Sequence, residues 1–297
     1  MKKVIFDCDN TMGVEGCDVD DGLALIYLLG KENIDLCGIT TTYGNSDINT
    51  VYSNTTLMLK ELGRNDIPLL KGCADRQDLK SEAVDFIVKT VNLHKGNISI
   101  LATGSLTNLY AAYLADSSIF EKISEIVLMG GITEKLIING RNLDELNFSC
   151  DPAATECVLK NGKNLSVMTG NNCLSAYFSE TDFKTRLLSK DNAMAQYIAQ
   201  KSMYWFGNMM SFFNINGFHN WDVVAAAFLA NPSIFENNLF NINSDIKSLE
   251  RGFLNKSCSA DESAYCINLP VIQDIKKFTD DIYETWLSVS LTKSGGN

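Results

Sequence analysis

The sequence predicts an α/β protein: a doubly wound, mainly parallel sheet with a mostly helical C-terminal part, in a single domain spanning residues 1–292. Three observations carry this. Short apolar runs alternate with segments of helical period five times before residue 132, the rhythm of parallel strands joined by crossover helices. Most of these runs stop abruptly at Asp, Asn, Thr or Gly residues. No internal repeat, low-complexity tract or linker divides the chain, and an apolar fraction of 45% in 297 residues suits one sizeable core.

The elements follow in order. Val4 to Phe6 forms a first strand that ends in Asp7 and Asp9. A loop with Gly13 and Gly16 comes next and closes in Asp18, Asp20 and Asp21. From Gly22 to Gly30 the pattern is helical, so Asp20 and Asp21 stand at a helix N-terminus, where the macrodipole favours negative charge. Ile34 to Tyr43 is a second strand closed by Gly44-Asn45, and Ser46 and Asp47 offer caps for a helix reaching Leu62. Pro68 to Leu70 is a short third strand, followed by an amphipathic helix from Ser81 to Asn92. Ile98 to Ala102 is a fourth strand breaking at Thr103-Gly104, with a helix from Ser105, and Ile126 to Met129 is a fifth, ending in Gly130-Gly131.

Residues 132 to 149 break the rhythm: they are polar and without period. Asp151-Pro152 then opens a helix, with proline in its first turn, and Leu165 to Met168 is a sixth strand. From Tyr177 the chain reads as mainly helical, with an aromatic and methionine stripe from Met203 to Phe213 and a helix from His219 to Ala230. Short antiparallel strands and loops are expected over 238–269, a last amphipathic helix over Val271 to Leu287, and a frayed tail over 293–297.

Composition excludes some classes. A formal charge of −11 argues against a nucleic-acid backbone as partner. Met1-Lys2-Lys3 leads into strand residues rather than an apolar signal core, and no run is long enough to span a bilayer, so no membrane is expected and the location is read as cytoplasmic. Nine cysteines, at 8, 17, 37, 73, 150, 157, 173, 258 and 266, show no CxxC spacing and read as buried thiols; a Cys258–Cys266 pair is possible. With two histidines in all, a zinc site is not expected.

The chemistry concentrates at the strand ends. Five aspartates within fifteen residues, at the carboxyl end of a buried strand, would repel one another unless a hard cation or a cationic ligand neutralised them. Sites of open α/β sheets lie along that edge, which collects Asp7, Asp9, Asn45, Thr103, Gly130-Gly131 and Thr169-Gly170. Glu145, Asn147 and His219-Asn220-Trp221-Asp222 supply the rest of the polar inventory.

These residues also resemble a family. Val4-Ile5-Phe6-Asp7-Cys8-Asp9 with the later Asp20-Asp21 is similar to the N-terminal motif of the ribonucleoside hydrolases. Ile39-Thr40-Thr41 to Asn45, Leu101 to Asn108, Val127 to Gly131, Glu145-Leu146-Asn147 with Asp151-Pro152, and Trp221-Asp222 resemble its later segments in the same order. The resemblance implies a Ca²⁺ ion held by Asp9, Asp21, Asp222 and the Thr103 carbonyl, with Asp9 as the base that activates water. It implies ribose contacts from Asn45, Asn139, Glu145 and Asn147, with Asp20 beside the sugar, and a homo-oligomer, dimer or tetramer. Asn139 and Asn142 are interchangeable at this stage.

Two departures stand out. The segment from Asn10 to Val19 is longer than the family's turn, leaving Asp18 a spare carboxylate. Where many members have a histidine before the last metal aspartate, this chain has Trp221, with His219 two positions back as the second catalytic candidate. That is similar to the purine-specific branch, in which an indole stacks on the leaving base, although core packing is the alternative for Trp221. Residues 71–80 hold no aromatic partner, so Tyr204, Trp205, Phe206 or Phe218 would have to provide one. Two rivals use the same opening stretch: a haloacid-dehalogenase-type Mg²⁺ phosphohydrolase with Asp7 as nucleophile and Asp9 as acid/base, and a non-catalytic nucleoside- or ribose-binding protein.

Overall fold

The computed structural model describes residues 1–189, 191–257 and 264–291. Its centre is one eight-stranded sheet in the order Leu239–Ile242, Tyr265–Asn268, Leu165–Met168, Glu125–Met129, Ser99–Ala102, Lys2–Cys8, Ile34–Thr41, Leu69–Leu70. All neighbours run parallel except the edge strand Leu239–Ile242, which is antiparallel to Tyr265–Asn268. This is the expected single α/β domain with a mainly parallel sheet.

The strand order has a functional consequence. The chain starts in the middle at Lys2–Cys8, moves out on one side through Ile34–Thr41 to Leu69–Leu70, then returns to lay Ser99–Ala102 on the other flank of the first strand. Connections therefore leave the neighbouring strands Lys2–Cys8 and Ser99–Ala102 in opposite directions and open a crevice beyond their carboxyl ends. The ladder holds both exits in register: the Thr103 N–H donates to the Asp7 carbonyl at 2.9 Å, and the Thr42 N–H to the Cys8 carbonyl at 2.9 Å. Asp9 and Thr103 are thus set side by side by backbone pairing alone.

The helix Asp20–Gly30 is buried from Asp20 through Leu28, which explains why its apolar residues are not confined to one stripe. It lies against the helix Trp221–Ala230, itself buried from Asp222 to Ala230, and against the final helix Ile275–Ser288. Trp286 of that last helix is fully buried, and its Nε1 donates to the Leu23 carbonyl at 3.0 Å. Tyr27 and Lys31 both reach Asp281, at 2.6 Å each. Helix packing thereby fixes the two N-terminal turns, Asp20-Asp21 and Trp221-Asp222, that face the crevice.

Several expectations need correction. His219 is not helical: Gly217–His219 is a short strand antiparallel to Tyr177–Ser179, and the helix starts at Trp221. The last helix starts at Ile275, because Val271–Ile272 pairs with Phe235–Glu236 instead. The helix expected from Ser105 begins at Thr107. Inside the aperiodic stretch 132–149, Ile137–Ile138 and Arg141–Asn142 form a small hairpin turned by Asn139 and Gly140, both at positive φ. Of the described cysteines only Cys8, Cys73 and Cys173 are buried, four are half-buried and Cys266 is exposed. Cys258 and the tail 293–297 lie outside the described residues. Among the described residues no helix is long and apolar enough to cross a membrane.

Candidate active site

The two aspartates that end the first strand go to different places. Asp7 is fully buried, and its Oδ1 accepts from Thr40 Oγ1 at 2.5 Å and Asn108 Nδ2 at 2.8 Å. The same Asn108 also donates to the Thr41 carbonyl and accepts the Cys73 N–H, so it ties Asp7 to the neighbouring strand and loop. Burial pushes the Asp7 carboxyl up to about 7 against those two hydrogen bonds. It does not line the cavity described below. Thr40 and Asn108 hold it as a structural carboxyl, unlike the free nucleophile that the phosphohydrolase reading needs at this position.

Asp9 lies beyond the strand end, also fully buried. Its Oδ2 accepts the Asn45 backbone N–H at 2.5 Å, and Asn45 Nδ2 stands 3.5 Å from Oδ1. This approach requires glycine at position 44, since a Cβ there would sit 2.0 Å from Asp9 Oδ2. Burial raises the Asp9 carboxyl to about 6, opposed by a hydrogen bond from Asp21 and by the Asn45 N–H.

Asp20, Asp21 and Asp222 arrive on the first turns of the two buried helices. The Asp222 N–H donates to Asp20 Oδ2 at 3.1 Å, and Thr103 Oγ1 donates to Asp21 Oδ1 at 2.6 Å. Burial, and then repulsion from neighbouring carboxylates, pushes Asp21 and Asp222 well above the usual carboxylate range. Asp20 is raised chiefly by burial and accepts hydrogen bonds from the Asp222 and Asp18 carboxyls.

This donor set fits a hard divalent cation. All donors are oxygens, no cationic side chain among the described residues lines the cavity, and Asp21 Oδ2 is buried without a partner. Among the described residues no three acidic, histidine or cysteine side chains converge at ligand spacing; the carboxyls pair with one another instead.

A cavity of about 320 Å³ opens above these groups. Its polar wall is Asp18, Asp20, Asn45, Thr103, Asp144, Glu145, Asn147 and Asp222. Asn147 Nδ2 donates to the Thr103 and Met129 carbonyls, at 2.9 and 3.1 Å, which leaves its Oδ1 for a ligand. Glu145 lines the wall, but its carboxylate accepts backbone N–H groups of Gly131, Phe148 and Ser149 at 2.8–3.0 Å. It fixes the segment that carries Asn147.

The apolar wall is Trp221 with Met129, Ile132, Leu136, Leu143 and Leu146. Trp221 therefore faces the cavity while packing against the core. No second aromatic joins it: Trp205, Phe206 and Phe218 are buried in the core, and Tyr204 is spent on the 10–19 loop. The aliphatic residues come from the aperiodic stretch, where no regular period marked them in the sequence.

Four predicted site residues do not line the cavity: Asp9 and Asp21 are buried beside it, and Asn139 and His219 are engaged elsewhere. Asn139 is exposed in the hairpin turn, and its amide donates to the Phe213 and Asn214 carbonyls at 2.8 and 3.2 Å. Asn142, its alternative, is exposed as well and lines a neighbouring surface cleft. His219 lies between Tyr177 and Trp221, its ring tilted to both, with centroids 5.3 and 5.1 Å away. Its Nδ1 is buried without a partner, and burial lowers the imidazole to about 4.

Comparison with known proteins agrees with this architecture. A plant nucleoside hydrolase superposes with a TM-score of 0.85 over 96% of this chain and 99% of its own, at 22% identity. A purine-preferring ribonucleoside hydrolase from Gardnerella vaginalis does so with a TM-score of 0.82 over 97% and 98%, also at 22% identity. In sequence the chain is 27% identical to a probable uridine nucleosidase 2 of Arabidopsis thaliana, across 79% of each protein. It is 28% identical to the inosine-uridine preferring nucleoside hydrolase of Crithidia fasciculata, over 53% of this chain and 56% of that one. The model of one family matches residues 4–278. The chain belongs to the inosine-uridine preferring nucleoside hydrolase family.

Proposed function

We propose that this N-glycosidase cleaves purine ribonucleosides to free base and ribose, with Asp9 as general base toward water and Ca²⁺ as its resident ion. The family assignment carries the coarser part, hydrolysis of the N-glycosidic bond of ribonucleosides. The finer part rests on one observation: a cavity with acids and amides on one wall and an indole among aliphatic side chains on the other. Such a cavity suits a polyhydroxylated ring joined to a flat apolar one.

Asp9, Asp21, Asp222 and the Thr103 carbonyl would hold the ion. When bound, it offsets the carboxylate repulsion, anchors vicinal hydroxyls and acidifies water. The Asn45 N–H fixes the orientation of Asp9. The proton that leaves the attacking water goes to Asp9, while oxygen bonds to the anomeric carbon. Positive charge developing on the sugar meets the field of Asp9 and Asp20. Asp20, Asn45 and the Oδ1 of Asn147 accept or donate to ribose hydroxyls, and Glu145 acts by holding the Asn147 segment.

The leaving purine stacks on Trp221 and takes its proton from water at the cavity mouth. His219 supports the indole as a neutral ring, because its buried imidazole carries no charge at neutral pH. Asn139 has no part in this assignment, since its amide is committed elsewhere.

Three outcomes are expected. Incubation with inosine, guanosine or uridine should release base and ribose, with higher kcat/KM for the purines; faster turnover of uridine would refute the purine preference. Replacing Asp9 with Asn should lower kcat by roughly 10²–10⁴-fold with KM little changed, and a loss below tenfold would remove it as the base. Trp221→Ala should cost roughly 10–100-fold on inosine but only a few-fold on a nitrophenyl riboside, whose leaving group needs no help. Equal losses on both would return Trp221 to a packing role.

A further inference from the structure

The hairpin that turns at Asn139 and Gly140 sits on the end of another element. The helix Ala193–Phe213 closes in Asn214 at φ 54°, whose N–H donates to the Met210 carbonyl at 2.9 Å. Beyond that bond, the carbonyls of Phe212, Phe213 and Asn214 lie past the reach of the helical ladder. The hairpin satisfies all three. Arg141 Nη1 donates to the Phe212 carbonyl, and Asn139 Nδ2 to the Phe213 and Asn214 carbonyls at 2.8 and 3.2 Å. The last turn of this helix has no basic residue of its own, so Arg141 brings a cation to the negative end of its dipole. Ile138, paired with Arg141 across the hairpin, is buried in the same core cluster as Phe213 and Trp205.

The hairpin in turn carries part of the apolar wall of the cavity. Leu136 and Leu143 stand at its base, where the Leu143 N–H donates to the Leu136 carbonyl at 2.9 Å, and both line the cavity. The ends of the segment are held from other directions. Asn171 Oδ1 accepts the N–H groups of Thr133 and Glu134, and the Glu145 carboxylate fixes the far end. Between these anchors the segment depends on Ile138 and on the two side chains at the helix end. Neither Asn139 nor Arg141 lines the cavity itself.

We propose that Asn139 and Arg141 are positioning residues for base binding: by capping the helix Ala193–Phe213 they hold Leu136 and Leu143 where the leaving base packs. This assignment rests on the reading of the cavity given above, in which the apolar wall meets the base and the sheet edge meets the sugar. It gives Asn139 a bond to the backbone in place of the sugar contact that the resemblance implied. A wall that has lost its cap must be ordered around each substrate, and that entropy is charged to binding. Asp9 and the polar wall stay as they are, so the chemical step is left alone.

The test measures kcat and KM for inosine and its 2′-, 3′- and 5′-deoxy analogues, inhibition by free ribose, and trypsin cleavage after Lys135. It compares the wild type with the Asn139→Ala, Arg141→Ala and Arg141→Lys variants. Either alanine variant should raise KM for inosine roughly 5–30-fold, the worth of one or two such hydrogen bonds, with kcat changed by less than about twofold. The ratios of inosine to each deoxy analogue and the inhibition by ribose should hold, while cleavage after Lys135 quickens. Arg141→Lys keeps a cation at the helix end and should recover most of the loss. A deoxy ratio that collapses in Asn139→Ala but not in Arg141→Ala makes Asn139 a sugar contact and overturns the assignment. An unchanged KM in both alanine variants overturns it as well, whether or not cleavage quickens. No hydrolysis of any ribonucleoside by the wild type overturns the cavity reading and the base contact with it, and cleavage after Lys135 then still decides whether the two side chains brace the hairpin.

Discussion

Mutual repulsion among buried carboxylates is the constraint on which the site depends. Asp9, Asp20, Asp21 and Asp222 are each at most 3% exposed, and among the described residues no cationic side chain lines the adjoining cavity. Two unit charges 4 Å apart repel by about 4 kcal/mol at an effective dielectric of 20. The protein meets this with the N-terminal turns of two buried helices, whose peptide dipoles favour negative charge, and with hydrogen bonds from Thr103, Asn45 and the Asp222 amide. These reduce the repulsion without cancelling it: burial raises all four carboxyls, and repulsion from neighbouring carboxylates adds to this at Asp9, Asp21 and Asp222. The apolar surface of the two helices, packed against each other and against Trp286, holds the acidic turns in place. On the proposed reading, a hard cation would relieve what remains.

From that arrangement the division of the cavity follows. Oxygen donors gather where the strand and helix ends meet, because only those positions lie at the sheet's topological switch. The opposite wall has no such origin. Trp221 comes from the same helix turn as Asp222, but its aliphatic companions come from residues 132–146, a loop held down by the Glu145 carboxylate on three backbone N–H groups. On the proposed reading, sugar recognition sits on the rigid sheet edge and most of the contact with the base on a loop. Differences in base preference among relatives named for uridine, inosine or purines are compatible with that placement.

The sheet edge was legible in the sequence because it is written in a local pattern: an apolar run ending in Asp, Asn or Thr. Asp9, Asn45 and Thr103 follow from that rule and the Asp20-Asp21 pair from the helix start, and all but Asp9 and Asp21 line the cavity directly. Asp7 shows its limit, since successive strand residues point to opposite faces and only the partners Thr40 and Asn108 reveal which face it took. Asn139 was misplaced because a two-residue hairpin with left-handed turn residues leaves no period to read. His219 reads as helical because a three-residue strand beside a long apolar helix has no signature of its own. Asp18 could be counted but not placed, since its position depends on Tyr204, nearly two hundred residues away in sequence.

The most direct test of the central claim is Ca²⁺ titration of chelator-treated protein, following the thermal unfolding midpoint and nucleoside hydrolysis together. A cation that relieves the carboxylate cluster should raise the midpoint and restore turnover with the same saturation, near one equivalent, and Asp222→Asn should weaken both responses. Chelated protein that keeps its full midpoint and activity, with no response to added Ca²⁺, would contradict the account.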